Sequence, residues 1–379
     1  MALRNGPTAG LAKALAKAYG AAVAAREAAF GSGLVRPKTV AGVAVLSVGG
    51  LTVGGSGKTP LAMHLAGALR DRGVPTAVVS RGYRGAWEHS GGVVSDGTRV
   101  FASVAEAGDE PLLAAIRLPG VAVVVGSDRV AATERARALG ARAVVLDSGF
   151  QHRRLSRDLD VLCVDPTLAS DALLPLGRLR EPLSACSRAD LLAWGEMEGD
   201  EPLPSRAFSY RLVPDEVVDL DLARVGPATD LAGRRVLLVS GIARPERFRR
   251  TAEQLGLAIA ARIELADHQE LGRAIRERIR DAARRVRAEL VLTTEKDAVR
   301  LRPLAGTTTR ALRVAVSIER AKEIVEESLD RLLGFQPRVT GSWRALLQEE
   351  GSPGIAAPCT PAGLRCARSP SSRRGRSAP

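Results

Sequence analysis

Residues 40–60 read VAGVAVLSVGGLTVGGSGKTP, and this stretch decides the fold of the chain. The β-branched, apolar run Val40–Val48 is typical of a buried strand. A helical pattern follows the glycines, with leucines recurring on one face at Leu61, Leu65 and Leu69. The glycine-rich segment therefore connects a strand to a helix.

The segment Gly54–Thr59, in this position, predicts a phosphate-binding loop, or P-loop. Its glycines let backbone N–H groups converge on phosphate oxygens, and the helix N-terminus adds partial positive charge. Lys58 is expected to reach the β- and γ-phosphates, and Thr59 to bind Mg²⁺. The full pattern has glycine where this chain has Thr52, so a glycine-rich turn with a solvated lysine is the alternative. The predicted nucleotide-binding residues are Thr52, Val53, Gly54, Gly55, Ser56, Gly57, Lys58 and Thr59.

Strand and helix patterns alternate along the chain after the loop. Strands are predicted at Thr76–Val79, Val121–Val125, Ala143–Leu146 and Val161–Val164, with a helix at Asp128–Leu139. This alternation predicts an α/β protein whose P-loop NTPase-like core is a doubly wound, mainly parallel sheet.

The pattern changes at an acidic connector, Asp215–Asp221, where we place a domain boundary. We predict an N-terminal amphipathic, membrane-associating helix (1–35), a P-loop domain (36–213) and a second, smaller α/β domain (214–335). The remaining residues, 336–379, are rich in Pro, Gly, Ser, Ala and Arg. This composition cannot bury a core, so a disordered basic tail is expected.

The apolar strand Ala143–Asp147 ends in a carboxylate. In P-loop enzymes, an acid at such a strand end holds Mg²⁺ directly or through water. By itself the pattern also fits a helix or turn cap. Its pairing with a P-loop favours Asp147 as a metal ligand.

Eight short motifs occur in order over roughly residues 40–300: Gly54–Pro60, Ser80–Tyr83, Gly108–Pro111, Asp147–Asp158, Leu179–Glu181, Gly241–Pro245, Asp267-His268 and Thr294–Asp297. Together they closely resemble the signature of the tetraacyldisaccharide 4′-kinases, the lipid A 4′-kinase family. Each motif is weak alone, but their number and order make the resemblance specific.

The resemblance implies two α/β lobes with ATP and the acceptor between them. It implies Mg²⁺-dependent transfer of the γ-phosphate to the 4′-hydroxyl of tetraacyldisaccharide 1-phosphate, a step of lipid A biosynthesis. It assigns Asp109 as the base that accepts the hydroxyl proton, His268 as the partner of that base, and Lys58 as a further catalytic residue. By pattern alone, Asp109 fits a helix cap and His268 a polar surface residue.

The resemblance also suggests five substrate contacts: Arg81, Gln151, His152, Arg180 and Glu181. An arginine binds phosphate well, and an Arg-Glu pair can meet phosphate and metal. A surface ion pair and a hydrogen-bonded turn are the ordinary alternatives for these residues. Thr294–Asp297 fits a capping box and is interpreted as structural first.

The chain departs from the family at the predicted metal site. The family commonly has Asp-Asp-Gly where this chain has Asp147-Ser148-Gly149. A serine can bind Mg²⁺ or hold its water, so the predicted metal ligands are Thr59, Asp147 and Ser148. With one of the two acidic groups absent, we expect the affinity for Mg²⁺ to differ from that of the family.

The 379-residue chain carries a net charge of +13, which suits an acidic partner such as a nucleic acid, a phosphorylated substrate or an anionic membrane. Only 3% of residues are aromatic, and there is no zinc, helix-turn-helix or RNP pattern, which argues against nucleic acid. Four cysteines without zinc-ligand spacing indicate a reducing compartment. No obligate protein partner is evident.

The N-terminal segment has apolar residues at four-residue spacing, at Leu11, Leu15, Tyr19 and Val23. With its early lysines, this stripe fits a helix lying on an anionic bilayer, and a helix docked on the domain is the alternative. Charged residues make the segment too polar for a confident membrane span. The expected partners are the lipid disaccharide and the inner-membrane surface, and the expected location is the cytoplasmic face of a Gram-negative-type inner membrane.

A membrane-associated P-loop switch or partitioning ATPase is the alternative function. Its loop also reads Gly-Gly-x-Gly-Lys-Thr, but with an additional lysine just before the glycine pair. This chain has Val53 at that position, which disfavours the alternative.

Overall fold

The computed structural model describes residues 9–55, 57–164, 168, 170–195, 202–266, 271–301, 304 and 307–334. Its helices are α1 (Ala9–Gly31), α2 (Lys58–Asp71), α3 (Trp87–Ser90), α4 (Val104–Ala107), α5 (Asp109–Arg117), α6 (Arg129–Ala138), α7 (Pro245–Gln254), α8 (Arg273–Arg285), α9 (Glu295–Ala298) and α10 (Lys322–Gly334). Its strands are β1 (Ala44–Gly50), β2 (Thr76–Ser80), β3 (Gly92–Ser95), β4 (Val121–Val125), β5 (Ala143–Asp147), β6 (Leu159–Val164), β7 (Leu191–Gly195), β8 (Ala207–Val218), β9 (Arg224–Pro227), β10 (Arg235–Ser240), β11 (Ala258–Glu264), β12 (Leu290–Thr294) and β13 (Thr309–Arg320).

Within the described residues, thirteen strands form one sheet. The strand order is β11-β10-β12-β13-β8-β7-β6-β1-β5-β2-β4-β3, and β9 pairs with β8 outside this path. The neighbours are parallel except at β3–β4, β8–β9 and β8–β13. The predicted α/β fold with a mainly parallel sheet is confirmed.

Strand β1 lies near the middle of the sheet, between β5 and β6, and all of its residues are buried. One face of this region packs against Leu61, Leu65 and Leu69 of α2, and the other packs against α6. Helices on both faces explain why the strands read as continuous apolar runs. Val48 is in register with Asp147, so the loop after β1 begins beside the acid that ends β5.

A long antiparallel pair, β8 and β13, connects the two halves of the sheet. The predicted boundary at 213/214 falls inside β8, whose first residues pair with β7 and whose later residues pair with β9 and β13. The described residues form one compact unit. The division into two domains stays a prediction, and the predicted tail lies outside the described residues.

Helix α1 docks through a different face from the predicted apolar stripe. Val23 is buried as expected, but Leu11 and Leu15 are 65% and 51% exposed. Ala12 and Ala16 are buried instead, because small side chains let the helix backbone approach the protein closely. Among the described helices, none is long and apolar enough to cross a bilayer.

Candidate functional site

The predicted P-loop lies where the sequence places it, between β1 and α2. Gly54 and Gly57 have φ angles of 100° and 78°, a left-handed conformation that suits glycine. A Cβ on Gly57 would also stand 2.7 Å from the Tyr210 hydroxyl oxygen. The start of the loop is held by a backbone hydrogen bond of 2.9 Å from Val53 N–H to the Arg178 carbonyl. Ser56 lies outside the described residues.

Lys58 begins helix α2, and its side chain folds back over the loop. Its Nζ donates to the Gly54 carbonyl oxygen at 3.1 Å. Burial lowers the pKa of Lys58, because a cation is poorly solvated in this position. Water solvates this ammonium group poorly. A phosphate bound at the loop would stabilise its positive charge instead.

Thr59 and Asp147 meet at the carboxyl edge of the sheet, as predicted for a pair of Mg²⁺ ligands. The Thr59 hydroxyl donates to Asp147 Oδ2 at 2.9 Å. Burial raises the pKa of Asp147 to about 6, and the negative charge of Glu110 adds to this increase. The Thr59 hydrogen bond and the charges of Lys58 and Arg129 act in the opposite direction. A bound cation would favour the ionised carboxylate.

The donors at this edge fit Mg²⁺. They are all oxygens, and the Ser148 hydroxyl lies 3.4 Å from Asp147 Oδ1. Among the described residues, no three His, Cys, Asp or Glu side chains gather as a metal cluster. Mg²⁺ does not need one, because it keeps several waters and phosphate oxygens beside one or two protein ligands. Thr59, Asp147 and Ser148 are therefore the residues placed to hold it.

Asp109 is the first residue of α5 and is 5% exposed. Its Oδ1 accepts from the Glu110 N–H at 3.0 Å, and Arg300 Nε lies 3.5 Å from its Oδ2. The negative charge of Glu110, in the same first turn of α5, helps to raise the pKa of Asp147. The predicted partner His268 lies outside the described residues.

A cavity of about 730 Å³ brings together residues that are far apart in the sequence. Four of the five predicted substrate contacts line it with the candidate metal ligand Ser148: Arg81, Gln151, His152 and Arg180. Helix α1 and the loop after it contribute Tyr19, Arg26, Phe30 and Val35, and the loop after β5 adds Arg153 and Arg154. The cavity lining is thus both basic and partly apolar, and the Arg153 guanidinium lies over the Phe30 ring at 4.6 Å.

Burial and the positive charges around the cavity both lower the pKa of His152. Burial lowers its pKa to about 4, and Arg129, Arg81, Arg157 and Arg26 add to the decrease. His152 is therefore neutral at pH 7. An anionic group entering this space would meet several guanidinium groups.

Glu181, the fifth predicted substrate contact, has other partners. Its carboxylate is fully buried and ion-paired with Arg26 of α1 and with Arg188, the latter at 2.6 Å. It therefore holds helix α1 rather than facing the cavity.

Helix α1 is attached to the cavity wall by further contacts. The Tyr19 hydroxyl donates to the Arg180 carbonyl at 2.8 Å. Glu27 pairs with Arg153 at 2.7 Å and with Arg188 at 2.6 Å. The helix is thus part of the candidate site itself, which its alanine-rich sequence does not reveal.

Sequence reasoning also missed Arg129, the first residue of α6. It is 3% exposed and donates to the Gly126 carbonyl. Burial lowers its pKa to about 10, and the Asp147 carboxylate opposes the decrease. Its position after Ser127-Asp128 resembles an ordinary helix start, so only the fold brings it to Asp147.

The chain is similar to known proteins over most of its length. The family model described as tetraacyldisaccharide-1-P 4′-kinase, LpxK, matches residues 9–334. A tetraacyldisaccharide 4′-kinase of an Anaeromyxobacter species (strain Fw109-5) is 41% identical over 338 residues, covering 83% of this chain and 89% of that relative. One from Geobacter metallireducens is 41% identical over 295 residues, covering 76% and 86% respectively.

A solved structure is similar as well. It is the crystal structure of the "apo" form of LpxK from Aquifex aeolicus in complex with ATP. The two proteins are 31% identical, with a TM-score of 0.71. The similarity covers 84% of this chain and 97% of that one.

Proposed function

This chain belongs to the tetraacyldisaccharide-1-P 4′-kinase family, and we propose that it transfers the γ-phosphate of ATP to the 4′-hydroxyl of tetraacyldisaccharide 1-phosphate. One observation carries the proposal: the basic cavity is lined by Ser148, whose neighbour Asp147 is hydrogen-bonded to Thr59 directly after the P-loop glycines. A nucleotide and an anionic, acylated acceptor therefore have adjoining sites.

The nucleotide is bound by the loop from Thr52 to Thr59. Its backbone N–H groups and the start of α2 surround the phosphates, and Lys58 neutralises the β- and γ-oxygens. Mg²⁺ held by Thr59, Asp147 and Ser148 supplies charge stabilisation and alignment of the phosphates. The similar Aquifex protein, solved with ATP, supports this choice of nucleotide.

Asp109 accepts the proton of the 4′-hydroxyl, and His268 assists it. Two features support Asp109: it is buried, and it lies in the same turn of α5 as Glu110, whose charge acts on Asp147. A carboxylate at this position lies near the groups predicted to bind Mg²⁺ and phosphate. There it can act as a general base that removes the proton of the acceptor hydroxyl.

The cavity receives the acceptor. Arg81, Arg180 and His152 line the cavity, and the guanidinium groups suit the 1-phosphate and the sugar hydroxyls. Phe30 and Val35 lie toward α1 and suit acyl chains. A volume of about 730 Å³ falls in the range of small-molecule sites, so a disaccharide headgroup fits while the acyl chains extend out of the cavity.

A transfer assay tests the function directly. Purified protein, Mg²⁺ and γ-labelled ATP are incubated in detergent with tetraacyldisaccharide 1-phosphate, and label in the lipid product is measured. The proposal expects a labelled product that requires the acceptor. Phosphate release at the same rate without acceptor, and no labelled lipid, would instead favour a switch or partitioning ATPase.

The Ser148→Asp substitution is expected to lower the Mg²⁺ concentration for half-maximal activity several-fold. It adds a second carboxylate beside Asp147, and Ser148 has a φ of 60°, which aspartate tolerates well. Mg²⁺ titration of the transfer rate, and of nucleotide binding by calorimetry, measures the change. Ser187→Asp, at an exposed serine, is the control. An unchanged Mg²⁺ requirement would remove residue 148 from the metal site.

We place the protein at the cytoplasmic face of the inner membrane, where its substrate lies. Leu11 and Leu15 of α1 and Leu34 after it are exposed, and the chain is strongly basic. Exposed leucines and positive charge together favour an anionic bilayer surface. The acceptor can then enter the cavity from the membrane side of α1.

Leu11→Glu combined with Leu15→Glu is expected to lower vesicle binding at least tenfold, because each leucine contributes about 1.5–3 kcal/mol on burial. The unfolding temperature is expected to stay unchanged, since both side chains are exposed. Co-sedimentation with phosphatidylglycerol-containing vesicles measures the binding. Val225→Glu, at a valine of β9 that is 52% exposed, is the matched control. Equal sedimentation of all three proteins would contradict a membrane role for α1.

A further inference from the structure

Helix α9 and the residues just after it contact helix α5, which carries Asp109. Glu295 contacts Arg117 at the end of α5, at 3.0 Å. Lys296 contacts Glu110 in its first turn, at 3.2 Å. A segment interpreted from the sequence as a capping box therefore also holds α5 at both ends.

Arg300 extends this contact to Asp109 itself. Its Nε lies 3.5 Å from Asp109 Oδ2, and its Nη2 pairs with Asp297 Oδ1. The side chains of the three residues are at most 10% exposed. The guanidinium group thus bridges two buried carboxylates from two different helices, α5 and α9.

Asp297 is itself held firmly, so it can anchor Arg300. Its Oδ2 accepts from the Gly241 N–H at 2.9 Å and from the Thr294 hydroxyl at 2.7 Å. Gly241 leads to Ala243, whose methyl carbon lies 3.4 Å from an ideal Cβ position on Gly55 of the P-loop. The anchor of Arg300 is therefore connected to the loop that binds the phosphates.

Each oxygen of Asp109 has a positively polarised group beside it. Oδ1 accepts a hydrogen bond from the Glu110 N–H, and Oδ2 lies 3.5 Å from Arg300 Nε in an ion pair that lacks hydrogen-bond geometry. The guanidinium group faces the two carboxylates with different nitrogens, Nε toward Asp109 and Nη2 toward Asp297, which a single ammonium group cannot do with the same fixed geometry. In a buried position this attraction is strong, because little water screens it.

We propose that Arg300 is a positioning residue for phosphoryl transfer: by bridging Asp109 and Asp297 it fixes the orientation of the Asp109 carboxylate. The proposal rests on the proposed function, in which Asp109 receives the proton of the acceptor hydroxyl. Arg300 gives and takes no proton in this step. Its contribution is to keep the receiving oxygen in reach of the hydroxyl, where a displacement of about 1 Å costs about a hundredfold in rate.

The first test compares Arg300→Gln and Arg300→Lys with Arg285→Gln, a matched change at an exposed arginine of α8. Arg300→Gln is expected to lower kcat about a hundredfold, and Arg300→Lys about tenfold, because lysine keeps the charge but cannot bridge both carboxylates. The KM for ATP is expected to stay within threefold of the wild type. If Arg300→Gln does not fold, Arg300→Lys decides the test. A kcat within twofold of the wild type in a folded variant would overturn the proposal.

The second test is a double-mutant cycle with Asp109→Asn. If Arg300 acts through Asp109, the double variant Asp109→Asn with Arg300→Gln transfers phosphate as slowly as Asp109→Asn alone. Multiplied losses would show that Arg300 supports the fold in general, and would overturn the proposal. Failure of the proposed function is recognised separately, because then the wild type makes no labelled lipid or Asp109→Asn is fully active.

Discussion

Lys58→Ala is expected to lower the rate of phosphate transfer at least about a hundredfold. Lys58 is placed over the P-loop, with Nζ 3.1 Å from the Gly54 carbonyl oxygen, and its burial lowers its pKa. Such an ammonium group is poorly solvated until phosphate oxygens reach it. Its positive charge then stabilises the negative charge on the phosphoryl group during transfer, in a site where little water is present to do so.

The fold of the Lys58→Ala variant is expected to be retained. Lys58 starts helix α2, and alanine is a good helix former. Circular dichroism and the unfolding temperature check the fold, and γ-labelled ATP measures transfer. Lys322→Ala, at an exposed lysine at the start of α10, is the control. Transfer by Lys58→Ala at more than a tenth of the wild-type rate would remove this lysine from the mechanism.

Asp109→Asn is expected to lower kcat for transfer at least about a hundredfold with little effect on ATP affinity. An amide of the same shape can still accept the Glu110 N–H, so α5 keeps its first turn. It cannot accept the proton of the acceptor hydroxyl. The loss therefore falls on the chemical step.

Single-turnover transfer and equilibrium binding of ATP separate these two effects. Asp281→Asn, at an exposed aspartate of α8, is the matched control. If Asp109→Asn binds ATP normally and transfers phosphate at the wild-type rate, the proton is accepted elsewhere. If it loses ATP binding instead, Asp109 belongs to the nucleotide site.

The two variants are expected to differ in one further property. Lys58→Ala should slow acceptor-independent ATP hydrolysis as well, because Lys58 acts on the phosphates themselves. Asp109→Asn should leave this slow hydrolysis unchanged, because no sugar hydroxyl takes part in it. The comparison also separates a kinase from a switch ATPase, which would label no lipid and whose ATP hydrolysis would depend on Lys58 but not on Asp109.

The strands and helices at the centre of the fold were predictable because each depends on a local pattern. The buried strands read as apolar runs, and β4 has the predicted bounds, Val121–Val125. Strands β3, β7, β9 and β11 were not predicted. Strands β3, β9 and β11 are only partly buried and so lack a clear apolar periodicity. Strand β7 is mostly buried but only five residues long.

The face on which α1 docks could not be predicted from periodicity. The leucines at positions 11 and 15 look like a core stripe, yet they are exposed. Docking is decided by the close approach of Ala12 and Ala16 and by Arg26, which pairs with Glu181, 155 residues further along the chain. An alanine-rich helix offers no pattern that would reveal a partner at such a distance.

The sequence by itself determined the P-loop, the acid at the end of β5 and the family, because these depend on residues that are neighbours in the chain. The meeting of Thr59 and Asp147 also followed, since parallel strands bring their carboxyl ends to one edge of the sheet. Only the tertiary structure decided that Glu181 holds α1 and that Arg300 reaches Asp109. The physical reason is that buried charges need partners, and the folded packing rather than sequence spacing selects which charge is within reach.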